Sequence, residues 1–141
     1  MLYTEKPEIF NPKFDVVSCF VEYQNEILLL LRQDYKSEPN TYGVPAGKVE
    51  KDETINSAMI RELQQETNLE NIDMQYYKKV YVKYPTYDFV YHMYHAILEK
   101  QPEIKINQEE HKKFIWKNPL EALKESLIQD LDTCIKMYYK I

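Results

Sequence analysis

The segment from Thr54 to Thr67 most constrains what this chain can fold into, because two of its acids stand where a helix normally keeps its apolar stripe. Helix signals open over Asp52 to Thr54 and run to Thr67, with Asn68 as the stop and Leu69 just beyond. At roughly 100° per residue, Ile55, Ala58, Met59 and Leu63 share one arc, and Glu62 and Glu66 fall in its middle. Two acids one turn apart repel each other, and docking their face against apolar neighbours adds a desolvation cost. Such a helix needs a neutralising partner, and a divalent cation serves best. The alternatives are an inward Arg or Lys, or a helix rolled so that the acids reach water. Arg61 projects from nearly the opposite side to Glu62, which weakens the first alternative. Periodicity alone does not choose between cation and solvent.

Around this helix the chain reads as a sheet. Phe14 to Tyr23 is rich in Val, Phe and Cys, Gln24 and Asn25 supply a turn, and Glu26 to Leu31 follows as a nearly unbroken apolar run. That pattern predicts a β-hairpin whose second strand is buried on both faces. Arg32 to Pro39 is polar and reads as a loop, and Tyr42 to Gly47 holds both glycines of the chain. Two glycines kept for one loop predict a backbone with special demands there. Strands are expected over Met74 to Tyr84 and Tyr87 to Glu99, joined tightly through Pro85, and a short one over Lys112 to Trp116. Asn118 before Pro119 marks a helix start, and apolar spacing continues to Tyr139 with a break near Ser126. Residues 1–141 show no repeat, low-complexity tract or linker, so the expectation is a single α/β layered domain with a mixed β-sheet and one active site.

Charge narrows the partners. Lys and Arg number 18 against 23 Asp and Glu, a formal charge of −5, which argues against long nucleic acid because a duplex needs a positive stripe. A small anion that brings its own divalent cation remains compatible. Met1 to Pro12 carries acids and two prolines and reads as neither a signal nor a transit peptide. No stretch approaches the length that spans a bilayer, so no membrane partner is expected. Cys19 and Cys134 sit among apolar residues without metal-ligand spacing and read as buried free thiols. A reducing, cytoplasmic location fits them.

Context resolves what periodicity leaves open. Gly47, Glu53, Arg61, Glu62, Leu63, Glu66 and Leu69 stand at the spacing G-x5-E-x7-R-E-U-x-E-E-x-G-U, where U is aliphatic. This run resembles the Nudix box. The likeness extends more loosely to the preceding hairpin, the Leu-rich strand ending in Arg32, the stretch from Val44 to Glu50, and the late run from Glu109 to Trp116. The resemblance implies the Nudix α/β/α sandwich and a pyrophosphohydrolase that cleaves a nucleoside diphosphate linked to another moiety. Magnesium is the implied cofactor, with manganese as the alternative ion. Glu62, Glu66 and the Gly47 carbonyl are the implied metal ligands. Glu110 resembles a late loop glutamate that acts as general base or holds a further metal in some relatives, and Glu109 is its neighbouring candidate. Glu53 and Arg61 are implied to form an ion pair that ties the loop to the helix. Arg32 and Lys48 are candidate phosphate contacts, although a lone basic residue is more often plain surface.

Two positions depart from the pattern. Asn68 replaces the closing glycine, and Asn is the residue next best suited to the left-handed conformation expected just past the helix. Gln65 replaces the first acid of the Glu-Glu pair, which removes one negative charge and predicts fewer or weaker metals. His92 and His95 lie three apart on a predicted strand, point to opposite faces and so do not share an ion. Together with His111 they read as pocket walls or satisfied histidines. Tyr84, Tyr87, Phe89 and Tyr91 are able to stack a nucleobase, but aromatic strands more often form core. Pro85 and Tyr87 roughly meet the patterns of two different Nudix subgroups and decide between neither. A nucleoside triphosphate is the leading substrate. ADP-ribose, a nucleotide sugar or a dinucleoside polyphosphate is the alternative, and a non-catalytic Nudix-fold nucleotide-binding or regulatory protein is the reading of a different class. Homodimers are common among Nudix proteins, so a dimer is compatible with all three.

Overall fold

A computed structural model describes residues 1–141. The elements in chain order are β1 (Leu2–Tyr3), β2 (Pro12–Tyr23), β3 (Glu26–Arg32), β4 (Tyr42–Gly43), β5 (Ala46–Lys48), α1 (Ile55–Thr67), β6 (Gln75–Lys83), β7 (Asp88–Leu98), β8 (His111–Lys117), α2 (Pro119–Ala122) and α3 (Leu131–Tyr139). β2 and β3 start as a hairpin around Gln24 and Asn25, both left-handed with φ of 50° and 64°. Two successive left-handed residues are what a two-residue turn needs to match the twist of its strands. The strands pair only at Glu22↔Ile27 and Tyr23↔Glu26 and then part.

That parting organises the mixed sheet. Beyond the turn, β3 pairs antiparallel with β8 and with β4. β2 instead runs parallel to β7 along almost its whole length and takes β5 antiparallel at Val16 to Ser18. β6 lies antiparallel to β7, and β1 adds a two-residue edge at Leu2↔Val82 and Tyr3↔Tyr81. β1 is too short to leave a period in the sequence. The stretch from Tyr42 to Gly47, expected as a loop, contains β4 and the start of β5 because the opening between β2 and β3 offers it free edges on both sides.

Each face of the sheet buries its own core. Phe20, Ile27, Leu29, Val80, Phe89 and Met93 pack beneath α2 and α3 through Ala122, Leu131 and Ile135. Val17, Val21, Leu28, Leu30 and Ala96 face the other way, against Ala58, Met59 and Leu63 of α1. The result is the expected α/β/α sandwich. β3 feeds both cores, as its apolar run predicts, with Ile27 through Leu30 fully buried. Each such side chain contributes about 1.5–3 kcal/mol relative to exposure.

The expected break in the C-terminal helix lies between α2 and α3, and backbone pairing causes it. The Tyr42 N–H donates to the Ser126 carbonyl at 2.7 Å, and the Ile128 N–H donates to the Tyr42 carbonyl at 3.0 Å. Residues there spend their hydrogen bonds on β4 instead of on a helix. α3 is then tied to the sheet by Tyr139, which donates to Glu22 Oε1 at 2.8 Å, and by Tyr138 against His95. None of the helices is long and apolar enough to cross a membrane.

Candidate active site

The opening between β2 and β3 delivers a short backbone segment to the C-terminal half of α1. Neither glycine of that segment has a positive φ, so the demand the sequence suggested is one of space. A Cβ on Gly47 would stand 2.2 Å from the Glu62 carboxyl carbon, closer than any side chain tolerates. Only glycine lets the Glu62 carboxylate lie against this backbone. α1 is held in place at both ends. Thr54 accepts the Ser57 N–H at 3.0 Å as N-cap, and Asn68 closes the helix in the left-handed conformation at φ 65°.

Glu62 and Glu66 both project from this docked side. Glu66 is 4% exposed and its Oε1 accepts the Ala46 N–H at 2.9 Å. Burial first, and then the neighbouring Glu62 charge, push its carboxyl well above the usual range. Burial also raises Glu62, against the lowering pull of Arg61. Arg61 corrects the reading of it as remote from Glu62. Its Nη1 donates to Glu62 Oε1 at 2.6 Å, while Nε and Nη2 grip Glu53 at 2.7 and 2.9 Å. A long side chain reaches round the helix where the Cα positions alone suggest divergence. The Arg61 guanidinium holds the Glu53 carboxyl down at about 2, and a further bond to the Lys48 carbonyl at 2.9 Å ties the loop to the helix.

The cleft these acids line is also lined by Arg32, Lys36 and Lys48, and by Glu110 and His111 where β8 begins. Arg32 is steadied by Ser37, whose carbonyl accepts from Nε at 2.7 Å. Lys48 lies 4.2 Å over the Phe14 ring. Glu110 brings a carboxylate oxygen within 4.8 Å of Glu66 and His111. Glu109 is exposed, outside the cleft, and its carbonyl accepts from Tyr35. Gln65 is exposed too and accepts from Arg61 at 3.3 Å.

A family model for the NUDIX domain matches residues 12–137. The chain belongs to the Nudix family. No curated protein matches it in sequence. Similar solved structures include the MutT protein from Methanosarcina mazei Go1, at 18% identity over 94% of this chain and 97% of that one, with a TM-score of 0.81. The NUDIX domain of Shewanella oneidensis NrtR, complexed with ADP ribose, is 18% identical over 96% and 92% with a TM-score of 0.76. An Ap4A hydrolase from C. elegans, in a binary complex, is 17% identical over 90% and 96% with a TM-score of 0.75. At these identities the likeness is one of fold.

Two residues in this Nudix cleft were not singled out from sequence as site members. Lys36 sits in a polar loop with no signal to mark it. His111 reads from the sequence as a satisfied or pocket-wall histidine, yet it is 5% exposed and its Nδ1 has no hydrogen-bond partner. Burial, then the charges of Arg32 and Lys36, lower it to about 4. His92 and His95 behave as expected, on opposite faces and away from the cleft, with His92 on Asp15 and His95 on Glu22. Phe14, Tyr84, Tyr87, Phe89 and Tyr91 line a separate, mainly apolar cavity that shares Ala46 and Lys48 with the cleft.

The donor set fits a hard divalent cation. Two inward carboxylates, a third acid on the facing loop and a backbone with no Cβ in the way supply oxygens and negative charge, and one Arg is too little to neutralise them.

Proposed function

We propose that residues 1–141 act as one magnesium-dependent Nudix hydrolase domain that cleaves a nucleoside diphosphate linked to another group, with a nucleoside triphosphate as the substrate class. The carrying observation is that half-buried Glu62 and buried Glu66 lie against the Ala46–Gly47 backbone, an arrangement that raises both carboxyls. Glu62, Glu66 and the Gly47 carbonyl would hold the ion. When bound, it supplies charge neutralisation on the phosphates and a more acidic water.

The rest of the chemistry belongs to the chain. Arg32, Lys36 and Lys48, which line the same cleft, would present positive charge to the phosphate oxygens. Glu110, half-buried just before β8, would orient the attacking water and accept its proton. Glu53 and Arg61 position the loop that carries Lys48. The aromatic cavity beyond Lys48 offers ring faces to a nucleobase while the phosphates stay in the cleft.

A panel of nucleotides scored for released phosphate or pyrophosphate tests the reading. Hydrolysis of a nucleoside triphosphate should require magnesium and should be lost in Glu66→Gln with the circular dichroism spectrum unchanged. Undiminished turnover in that variant would refute the assignment of Glu66. Gln65 favours one second reading, a nucleotide-binding protein without turnover, since the charge that the Nudix box places there is missing. Tight magnesium-nucleotide binding with no product from any member of the panel would establish it.

A further inference from the structure

Glu110 lies in a turn whose backbone is held from two directions. Its amides are satisfied within the turn. The Glu110 and His111 N–H groups donate to the Asn107 carbonyl at 3.0 and 2.9 Å, and the Glu109 N–H donates to Asn107 Oδ1 at 3.0 Å. Its carbonyls find their donors elsewhere, in the loop between β3 and β4. The Gln33 N–H donates to the Glu110 carbonyl at 3.0 Å, Gln33 Nε2 donates to the Gln108 carbonyl at 2.7 Å, and the Tyr35 hydroxyl donates to the Glu109 carbonyl. Three consecutive carbonyls are thus held by residues 33 and 35, and Asp34 between them pairs with Lys112 at 2.5 Å. An extension of the β3 to β8 ladder would explain the Gln33 amide, but not the two side chains that reach further into the turn. Tyr35 is 69% exposed, so its ring gains little from packing and the hydroxyl is its main contact. Arg32 and Lys36 stand on either side of this gripping segment, and both line the cleft.

We propose that Gln33 and Tyr35 are positioning residues that tie the turn bearing Glu110 to the loop bearing Arg32 and Lys36, so that anchoring the phosphates also fixes the base. The inference rests on the reading of Glu110 as the group that orients the attacking water. Neither Gln33 nor Tyr35 lines the cleft, so both act through the turn. Phosphate oxygens paired with Arg32 and Lys36 hold their loop in one arrangement, and the three carbonyl contacts pass that order on to Glu110. Such placement matters because a displacement of about 1 Å in a reacting group costs on the order of a hundredfold in rate.

The double variant Gln33→Leu/Tyr35→Phe tests this in steady-state hydrolysis of a magnesium nucleoside triphosphate. It should lose at least about tenfold in kcat with KM changed by less than about twofold. In a Glu110→Gln background the same two substitutions should cost nothing further, because the residue they act through is gone. An equal loss in both backgrounds would overturn the positioning role and leave the pair as general supports of the fold. Should the double variant fail to fold, Tyr35→Phe alone, which removes one exposed hydroxyl, carries the same comparison. Hydrogen exchange separates this inference from the reading beneath it. Saturating magnesium and inorganic triphosphate should slow exchange of the amides in 107–112 in the wild-type chain and not in the variant. No slowing in the wild type would overturn the link even in an active enzyme. Slowing that the variant loses, in a chain where Glu110→Gln hydrolyses as fast as wild type, would support the link and sink Glu110 as the base.

Discussion

Replacing Glu66 with Gln is expected to make the metal-free protein more stable even as it removes activity, because the native carboxyl is buried beside Glu62 and an amide keeps the Ala46 hydrogen bond without the charge. The proton that Glu66 retains when folded gives stability that is complete below 4.5, its ordinary value, and is lost as pH rises through the elevated folded value. The variant's advantage, on the order of 1 kcal/mol, should therefore appear in chelator at pH 8 and vanish near pH 4. Thermal melts of the two proteins across that range check it, and an advantage that grows toward acid would contradict the placement of Glu66. His111 acts in the opposite sense, its contribution being lost as pH falls from 6.5 through about 4, so the difference between variant and wild type is the quantity to read. Gly47→Ala drives a methyl into the Glu62 carboxylate. That carboxylate is the free end of a flexible side chain and is able to swing aside, so the substitution should weaken magnesium binding in a titration while moving the melting temperature little. Neither outcome follows from the sequence pattern alone, which marks Gly47 as special but not which side chain fills the space above it. The surroundings of Arg61 and His111 are illegible in the sequence for a related reason: they are set by how far a side chain reaches and by which loop lies opposite, and both depend on the tertiary fold.

The helix that carries the acids is the element whose bounds were easiest to read, since its signals are local. Thr54 caps it, Asn68 ends it, and both were identifiable from residue type and offset. Asn68→Gly should leave stability unchanged or raise it slightly, whereas Asn68→Ala should lower it by about 1 kcal/mol, because only a residue tolerant of φ 65° sits there without strain. Urea denaturation of the pair discriminates the two, and equal behaviour would mean that the left-handed cap has no energetic role. The hairpin turn was equally legible from Gln24 and Asn25. β1, β4 and β5 were not, because strands of two or three residues carry no period and exist only where another strand leaves an edge open. The C-terminal break was visible as a lapse in helical spacing, but its cause, the backbone pairing of Ser126 and Ile128 with Tyr42, was not.

Taken as a whole, the molecule sets a polar cleft and an aromatic cavity side by side, with Ala46 and Lys48 common to both. A ligand that fills both should stabilise the folded state by mass action. Magnesium with a non-hydrolysable nucleoside triphosphate at a hundred times its dissociation constant should add about 2.7 kcal/mol, and magnesium with inorganic triphosphate less at matched concentration. Equal thermal shifts would mean that the aromatic cavity contributes nothing to recognition. The longest strand pairing of the sheet joins β2 to β7 in parallel, from Phe14↔Phe89 to Tyr23↔Leu98, so the central strand of the molecule waits for a neighbour encoded about half the chain away. Closing so large a loop is entropically costly before any packing compensates for it, and folding of this topology is correspondingly slow. During synthesis, then, the hairpin and the acid-bearing helix emerge from the ribosome long before the strand that anchors them. The growing chain carries an exposed apolar edge through that interval, which makes this stage, more than the finished fold, the one at which it is most prone to aggregate.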